Sequence, residues 1–274
     1  MKPELSKLAQ IQDVLSQVVK TSHAGQTYVY ALIDCAQHPE LGQASAKRWS
    51  GACVSLFSGS SEIDGLTPVI APILEHAQPS PLLACALRLS PDIACLSIFC
   101  SDLTPEQLAN HFKRFLYIQD TDGQPWMLAF WDPGVLASLV GGDPTQYEQG
   151  PIFDEQQRRA FLEPIVAWAY WRRDGTLATV TGTERATSFS EPIVATARQM
   201  EALARVNWID ELLNAVEAVS PEFRATHGNS RAYAFARDQV RELEARGIRD
   251  FSQQLPVLIE TVDEFGDAKP KVFP

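Results

Sequence analysis

Residues 104–140 read TPEQLANHFKRFLYIQDTDGQPWMLAFWDPGVLASLV and contain, in order, a helix start, a hairpin and a second helix start. The TPEQ at 104–107 combines a threonine cap, a proline in the first turn and a glutamine three residues after the cap. The DTDG at 120–123 predicts a tight turn between two apolar strands. Asp132 and Pro133 repeat the cap-and-proline pattern. Helices and strands that alternate in this way predict a mixed α+β fold.

The flanking sequence extends this pattern and then changes its period. Apolar and β-branched runs at 27–34 (TYVYALID) and 92–100 (DIACLSIFC) predict buried strands. Beyond residue 193 the apolar residues recur at helical spacing instead. The polar segment at 182–192 ends in proline and marks a boundary between the two patterns. We therefore expect a mixed α/β lobe over residues 1–182 and a smaller, all-helical lobe over residues 190–274.

Composition excludes several classes of protein. The 274 residues carry 23 Lys and Arg against 34 Asp and Glu, a net charge of −11, which argues against a nucleic-acid partner. No apolar run approaches the roughly 18 residues of a membrane span, so no membrane insertion is expected. The first residues, MKPELSKLAQIQDVL, lack the continuous apolar stretch of a signal peptide. Five cysteines, an odd number in apolar surroundings, are typical of reduced thiols and favour a cytoplasmic location.

Motifs for nucleotide binding, zinc proteolysis and serine hydrolysis do not occur in the sequence, so we expect no catalytic, cofactor-binding or metal-binding residues. Two alternatives remain open. Cys35 and His38 lie three residues apart, as a thiol nucleophile and its base could, but a thiol at the end of a strand is more often part of the core. Asp132 could be a catalytic carboxylate, although its position favours a helix cap.

Aromatic residues are concentrated in the second half of the predicted α/β lobe. Trp126, Phe130 and Trp131 form one group, and Trp168 begins another with Tyr170 and Trp171. A sheet packed on both faces explains such a concentration. An aromatic binding surface is the alternative, because Trp and Tyr are frequent at binding hot spots.

Three segments, 27–41, 55–76 and 108–140, together resemble the type VI secretion effector-adaptor family, in which a domain of unknown function recurs. The family pattern is a strand ending in aspartate, a proline-containing stretch, a helix with a basic end, and a hairpin that closes in Asp-Pro. The matching residues here are Asp34, Pro72, Arg114, Asp132 and Pro133. The resemblance covers about 27–173.

Two positions depart from the family pattern. Ala129 and Gly134 stand where the family often has arginine. If those arginines pair with Asp132 or with a partner protein, that interaction is missing in this chain.

The resemblance implies a non-catalytic cytosolic adaptor, or chaperone, with two protein partners. It would bind an effector toxin and load it on the valine-glycine-repeat spike protein of the secretion apparatus. A small cytosolic hydrolase that uses Cys35 or Asp132 is the alternative.

An effector chaperone needs an exposed apolar patch. The predicted helix at 194–219 has apolar residues on two stripes, more than one face of a lobe requires. We therefore expect Trp208, Leu212 and Phe235 to line an effector-binding groove, with the α/β lobe contacting the spike protein. The sheet surface around Trp126 and Trp168 is the alternative effector site.

Overall fold

The computed structural model describes most of the chain, and the fold below refers to that part. It covers residues 28–48, 53–58, 65–73, 81–90, 93–141, 151–182 and 192–267. The boundary predicted at 182–192 lies mostly outside the described residues.

Nine strands form two sheets. They are β1 (Tyr28–Ile33), β2 (Val54–Ser55), β3 (Val69–Pro72), β4 (Leu96–Ser101), β5 (Tyr117–Gln119), β6 (Pro125–Met127), β7 (Ala167–Trp171), β8 (Leu177–Thr181) and β9 (Ile193–Val194). The larger sheet has the order β2-β3-β1-β4-β7-β8, and all its described pairs are antiparallel. The smaller has the order β6-β5-β9, with β5 and β6 antiparallel and β5 and β9 parallel.

Ten α-helices accompany the strands in the described residues. They are α1 (Pro39–Arg48), α2 (Pro81–Leu89), α3 (Pro105–Lys113), α4 (Pro133–Leu136), α5 (Glu155–Leu162), α6 (Ala197–Arg205), α7 (Trp208–Val219), α8 (Glu222–His227), α9 (Asn229–Ala245) and α10 (Phe251–Asp267). Together they bear out the predicted class, a mixed α+β fold with a helical C-terminal region.

The central strands of the larger sheet are buried on both faces, which is why they read as nearly continuous apolar runs. Side chains alternate between the faces along each strand. Ala31 and Ile33 of β1 pack on one side of the sheet. Tyr30 and Leu32 pack on the other side, together with Phe99 of β4. The larger of the two cores lies on this second side.

Aromatic rings fill the larger core. Phe161 of α5 stacks on Trp168 of β7, with 5.6 Å between ring centroids. Phe112 of α3 contacts both rings. The indole N–H of Trp168 donates to Ser97 Oγ at 2.9 Å, so its polar atom is satisfied inside the core. Most of the aromatic concentration in the sequence is therefore sheet packing.

Both predicted helix starts are present. Thr104 caps α3 in a full capping box, because its hydroxyl accepts from the amide of Gln107 and the Gln107 side chain accepts from the amide of Thr104. Asp132 caps α4 through Oδ1, which accepts from the amides of Gly134 and Val135. These local patterns fix the chain direction on either side of the hairpin.

The predicted hairpin is also present as β5 and β6. Its turn closes on Gly123, whose φ of 77° is the left-handed conformation that glycine adopts easily. Asp120 holds the turn from inside, since its Oδ1 accepts from the amides of Asp122 and Gln124. The same turn brings the exposed strand β6 to the edge of the smaller sheet.

Residues 192–206 pack with the α/β core although the sequence pattern there is already helical. β9 pairs with β5, and Ala202 of α6 belongs to the larger core. The side-chain N–H₂ of Gln199 donates to the Ile152 carbonyl at 2.9 Å and to Gln157 Oε1 at 2.7 Å. A separate helical core begins only with Trp208 and Ile209. Division of the chain into domains at 182–190 stays a prediction.

Replacing Phe161 with alanine should lower the free energy of unfolding by about 3–5 kcal/mol, because a fully buried ring would leave a cavity. The ring contacts five neighbouring aromatic rings. Urea denaturation followed by circular dichroism measures the change. Val219→Ala is the control, because Val219 is largely exposed and its loss should cost less than about 0.5 kcal/mol. Equal costs for the two variants would contradict this description of the core.

Candidate functional site

A polar cleft of about 500 Å³ lies where the end of β7 meets the C-terminal helices. Its lining contains three arginines, three acidic residues, four side-chain amides and five apolar or aromatic side chains. The lining residues are Gln37, Ile93, Ala94, Asp132, Trp171, Arg172, Arg173, Asn207, Asp210, Glu211, Leu213, Asn214, Arg224, Asn229 and Tyr233. Equal numbers of opposite charges give the cleft little net preference for an anion or a cation.

Arg173 is the central residue of this cleft. It follows β7 by two residues, and its guanidinium lies between two carboxylates. Nη2 is 3.3 Å from Asp132 Oδ2, and Nε is 2.8 Å from Asp210 Oδ2. The side chains of Arg173, Asp132 and Asp210 are 12%, 13% and 29% exposed. Since Asp132 precedes α4 and Asp210 lies in the first turn of α7, one guanidinium connects the α/β part with the helical region.

Burial and charge act in opposite directions on these groups. Burial lowers the pKa of Arg173, but Asp132 and Asp210 raise it by more, so the pKa lies above its ordinary value and the guanidinium stays charged. Burial raises the pKa of Asp210, and Arg173 offsets only part of that rise. Arg173 Nε and Asp210 Oδ2 do not meet hydrogen-bond geometry despite their short distance. Their attraction is therefore mainly between charges.

Gly134 makes room for this arrangement. A Cβ atom built at position 134 would lie 2.7 Å from Cζ of Arg173, closer than carbon atoms approach. Arg173 is held by two carboxylates, so it cannot move aside without giving up an ion pair. A side chain at 134 and the observed position of Arg173 exclude each other. Position 134 is one at which the family pattern often has arginine. In this chain the arginine that pairs with Asp132 is Arg173, so Asp132 still has an arginine partner.

A second arginine holds the helical side of the cleft. Arg224 of α8 donates through Nη2 to Asn214 Oδ1 at 2.8 Å, and its Nη1 lies 3.7 Å from Glu217 Oε2. Asn214 and Glu217 both belong to α7, so Arg224 ties α8 to α7. The cleft thus contains paired charges within its own walls and has the character of a structural junction.

Asp34 lies at the end of β1 and is buried. Its Oδ1 accepts from the amide of Ala36 at 3.0 Å, and its Oδ2 accepts from the side chain of Gln37 at 3.1 Å. The backbone contacts expected of this aspartate are therefore present. Burial raises the pKa of Asp34 to about 6, against the lowering effect of these hydrogen bonds.

The other residues of the family-like pattern occupy separate places. Pro72 ends β3 and pairs with Tyr30 of β1. Arg114 is the C-cap residue of α3, and its guanidinium carbon lies 5.7 Å from the ring centre of Phe115. Neither lines the cleft. Pro133 is buried in the first turn of α4, next to Asp132. Of the five pattern residues, only Asp132 contributes a side chain to the cleft.

Trp208, Leu212 and Phe235 all belong to the helical core. Leu212 is fully buried, so its side chain offers no surface to a partner in this structure. The indole N–H of Trp208 donates to Gln254 Oε1 at 2.8 Å, and Phe235 packs edge-on against Phe223. The three residues therefore stabilise the helical region, and an effector-binding role for them stays a prediction.

The sequence could not reveal Arg173 and Asp210 as partners. They are separated by 37 residues and come from elements of different type, and no short motif joins them. One signal for a charged site is present in the sequence. Arg172 and Arg173 directly follow an aromatic strand, and charged side chains are seldom found so close to buried ones.

The described ranges contain no group of three or more His, Cys, Asp or Glu side chains placed to hold a metal ion. Among the helices of the same ranges, none combines the length and the apolar character needed to cross a bilayer.

A family model described as a domain of unknown function (DUF4123) matches residues 29–149, somewhat less than half of the chain. This domain family is known in type VI secretion effector-adaptor proteins. The match includes Asp34 and Asp132 and ends before Arg173 and Asp210. Neither a curated protein nor a solved structure matches the chain significantly.

Replacing Arg173 with methionine should lower the free energy of unfolding by roughly 2 kcal/mol or more, because two partly buried carboxylates would lose their shared cation. Thermal or urea unfolding measures the change. The matched control is Arg159→Met, which removes an exposed pair with Glu155 and should cost less than about 1 kcal/mol. A cost no larger than that of the control would show that the Arg173 pairs do not stabilise the junction.

The raised pKa of Asp34 gives a pH test. The folded state keeps the proton up to about pH 6, whereas the unfolded state loses it near its ordinary pKa of 3.8, so wild-type stability falls as pH rises between these values. Asp34→Asn removes this titration. Its stability relative to wild type should therefore increase by roughly 3 kcal/mol between pH 3.5 and pH 7. A stability difference between Asp34→Asn and wild type that does not change with pH would contradict a raised pKa of Asp34 in the folded state.

Proposed function

We propose that this chain is a non-catalytic cytosolic adaptor that binds a type VI secretion effector and loads it on the valine-glycine-repeat spike protein. The observation that carries the proposal is the match of residues 29–149 to a domain known in effector-adaptor proteins of this system. The matched region contains Asp34, Pro72, Arg114, Asp132 and Pro133, the residues on which the sequence resemblance rests.

The architecture supports a protein with two partners. The helical region has its own core, around Leu212 and Val240, and the α/β part has two more. Arg173 joins the two regions at the cleft. A chain that must contact an effector and a spike protein at once needs two surfaces in a fixed relation, and an ion-paired junction supplies such a relation.

Several observations count against the hydrolase alternative. Cys35 is buried, and its thiol is directed at the Ile33 carbonyl at 3.9 Å. Nδ1 of His38 accepts from the amide of Glu40 at 3.2 Å, which occupies the atom a general base would use. Asp132 both caps α4 and pairs with Arg173, so its two oxygens are already engaged. All three groups therefore make contacts within the fold itself.

Deletion of the gene in its native bacterium tests the proposal. The strain should no longer secrete one effector, the one whose gene lies beside that of a spike protein, while the spike protein itself is still exported. Quantitative mass spectrometry of the culture supernatant measures both. Undiminished effector export from the deletion strain would overturn the proposal.

Complementation separates the adaptor from the hydrolase. Cys35→Ala should restore effector export as fully as the wild-type gene, because an adaptor needs no thiol nucleophile. The melting temperature of the purified variant is the control for folding. A folded Cys35→Ala protein that fails to restore export would favour a catalytic role for Cys35.

A further inference from the structure

The smaller sheet exposes an unusual amount of apolar surface. Tyr117, Trp126, Met127 and Val194 are 50–56% exposed, and they are four of the eight large hydrophobic side chains that are exposed in the described residues. All four lie on β5, β6 or β9. We refer to these four residues as the hairpin surface. Apolar side chains gathered in this way, on one small sheet, are typical of a protein-binding site.

The register places three of these four side chains, Tyr117, Met127 and Val194, on one face of the sheet. Tyr117 is paired with Met127 across β5 and β6, so their side chains lie on the same face. Gln119 is paired with Val194 of β9 and lies two residues after Tyr117, which places both on that face as well. The intervening Ile118 points the other way and is fully buried. The sheet therefore packs on the core with the face of Ile118 and presents the other face to solvent. Trp126 is paired with Ile118 and lies on the core-facing side, where its place on the edge strand leaves it 53% exposed.

β6 is an edge strand. It pairs with β5 on one side and has no other strand beside it in the described part of the chain. The amide of Leu128 donates to Leu116 O at 2.8 Å, and the amide of Asp120 donates to Gln124 O at 3.0 Å. This alternation directs the N–H and C=O of Met127 away from β5. Pro125 has the same orientation but no N–H. The outer edge can therefore accept a further extended strand through the N–H and C=O of Met127 and the C=O of Pro125.

The turn next to this edge is acidic. Trp126 donates its indole N–H to Asp120 Oδ2 at 3.0 Å, which fixes the ring while leaving half of it exposed. This hydrogen bond and those from the backbone lower the pKa of Asp120, so its carboxylate stays charged. The exposed Asp122 adds a second negative charge. A Lys or Arg beside the ring would be attracted by the π face and by both carboxylates.

We propose that the hairpin surface is the docking site for the effector, which would add an extended segment antiparallel to β6. Because side chains alternate along a strand, an apolar residue of that segment would cover Met127 and Tyr117, and the next residue, a Lys or Arg, would lie by Trp126 and Asp120. The occupant is therefore a segment with alternating apolar and basic residues. This inference rests on the proposed adaptor function and names the surface at which it operates.

A second copy of this chain fits the edge less well than such a segment. Each copy carries a net charge of −11. Two copies paired through β6 would contribute two acidic turns and no cation from the paired strands themselves, because Pro125, Trp126 and Met127 are uncharged. The electrostatic complement has to come from a partner with basic residues.

Two variants of the full chain test the proposal by isothermal titration calorimetry. The probe is the purified effector whose export the deletion strain loses. Met127→Arg should weaken binding at least about tenfold, because it puts a cation where an apolar side chain docks. Asp122→Lys should weaken binding about threefold or more and reduce its dependence on salt. Val219→Arg is the matched control at an exposed apolar residue elsewhere, and it should bind within about twofold of wild type. Unchanged melting temperatures show that all three variants fold.

Each other outcome counts against the proposal in an identifiable way. Wild-type affinity in Met127→Arg and Asp122→Lys would exclude the hairpin surface while leaving the adaptor function intact. Loss of spike-protein binding with retained effector binding would show that the surface binds the spike protein and not the effector. A wild-type dimer that Met127→Arg converts to a monomer would identify a second copy as the occupant. A wild-type chain that binds no effector would overturn the adaptor function itself.

Discussion

The guanidinium of Arg173 lies between carboxylates from two parts of the chain that have separate cores, and the relation between those parts depends on it. Asp132 contributes from the start of α4, and Asp210 contributes from the first turn of α7. Three charged groups removed from most of their water are costly unless each has a partner. The position of the C-terminal helices is therefore set by charge pairing at the cleft as well as by apolar contact.

This arrangement also constrains residues that carry no charge. Gly134 must lack a side chain because Arg173 passes directly over it. Asp132 must leave one oxygen for the amides of α4 and turn the other toward Arg173. The Asp-Pro pair that closes the hairpin in the family-like pattern thus does more than start a helix in this chain. It also anchors the helical region, which lies beyond the segment that matches the domain family.

Local features of the fold could be predicted from the sequence because their causes lie within a few residues. The capping box at Thr104, the Asp132 cap and the turn at 120–123 are all of this kind. Pairings between distant elements could not be predicted, and Arg173 with Asp210 is the main example. The helical spacing of apolar residues indicates which segments are helices, but it does not distinguish residues that close the helical core from residues that line a groove. Leu212, which we expect from the sequence to line a groove, lies inside the core.

The tryptophans also show that local sequence does not determine which side chains are buried. Trp126 and Trp168 stand in similar sequence surroundings, both within apolar strands next to a turn. Trp168 is fully buried in the larger core, whereas Trp126 lies on an edge strand with half of its surface exposed. Strand order decides between these outcomes, and strand order depends on contacts between elements that are far apart in the sequence. The exposure of the hairpin surface therefore follows from the sheet topology and not from the local sequence.

A chain that joins an effector to a spike protein must bind both at the same time. Mass photometry of the three purified proteins, mixed in all pairs and all together, measures this most directly. We expect a species whose mass includes all three proteins and which does not form when this chain is left out. Equal association of the effector and the spike protein without this chain would show that the chain does not join them.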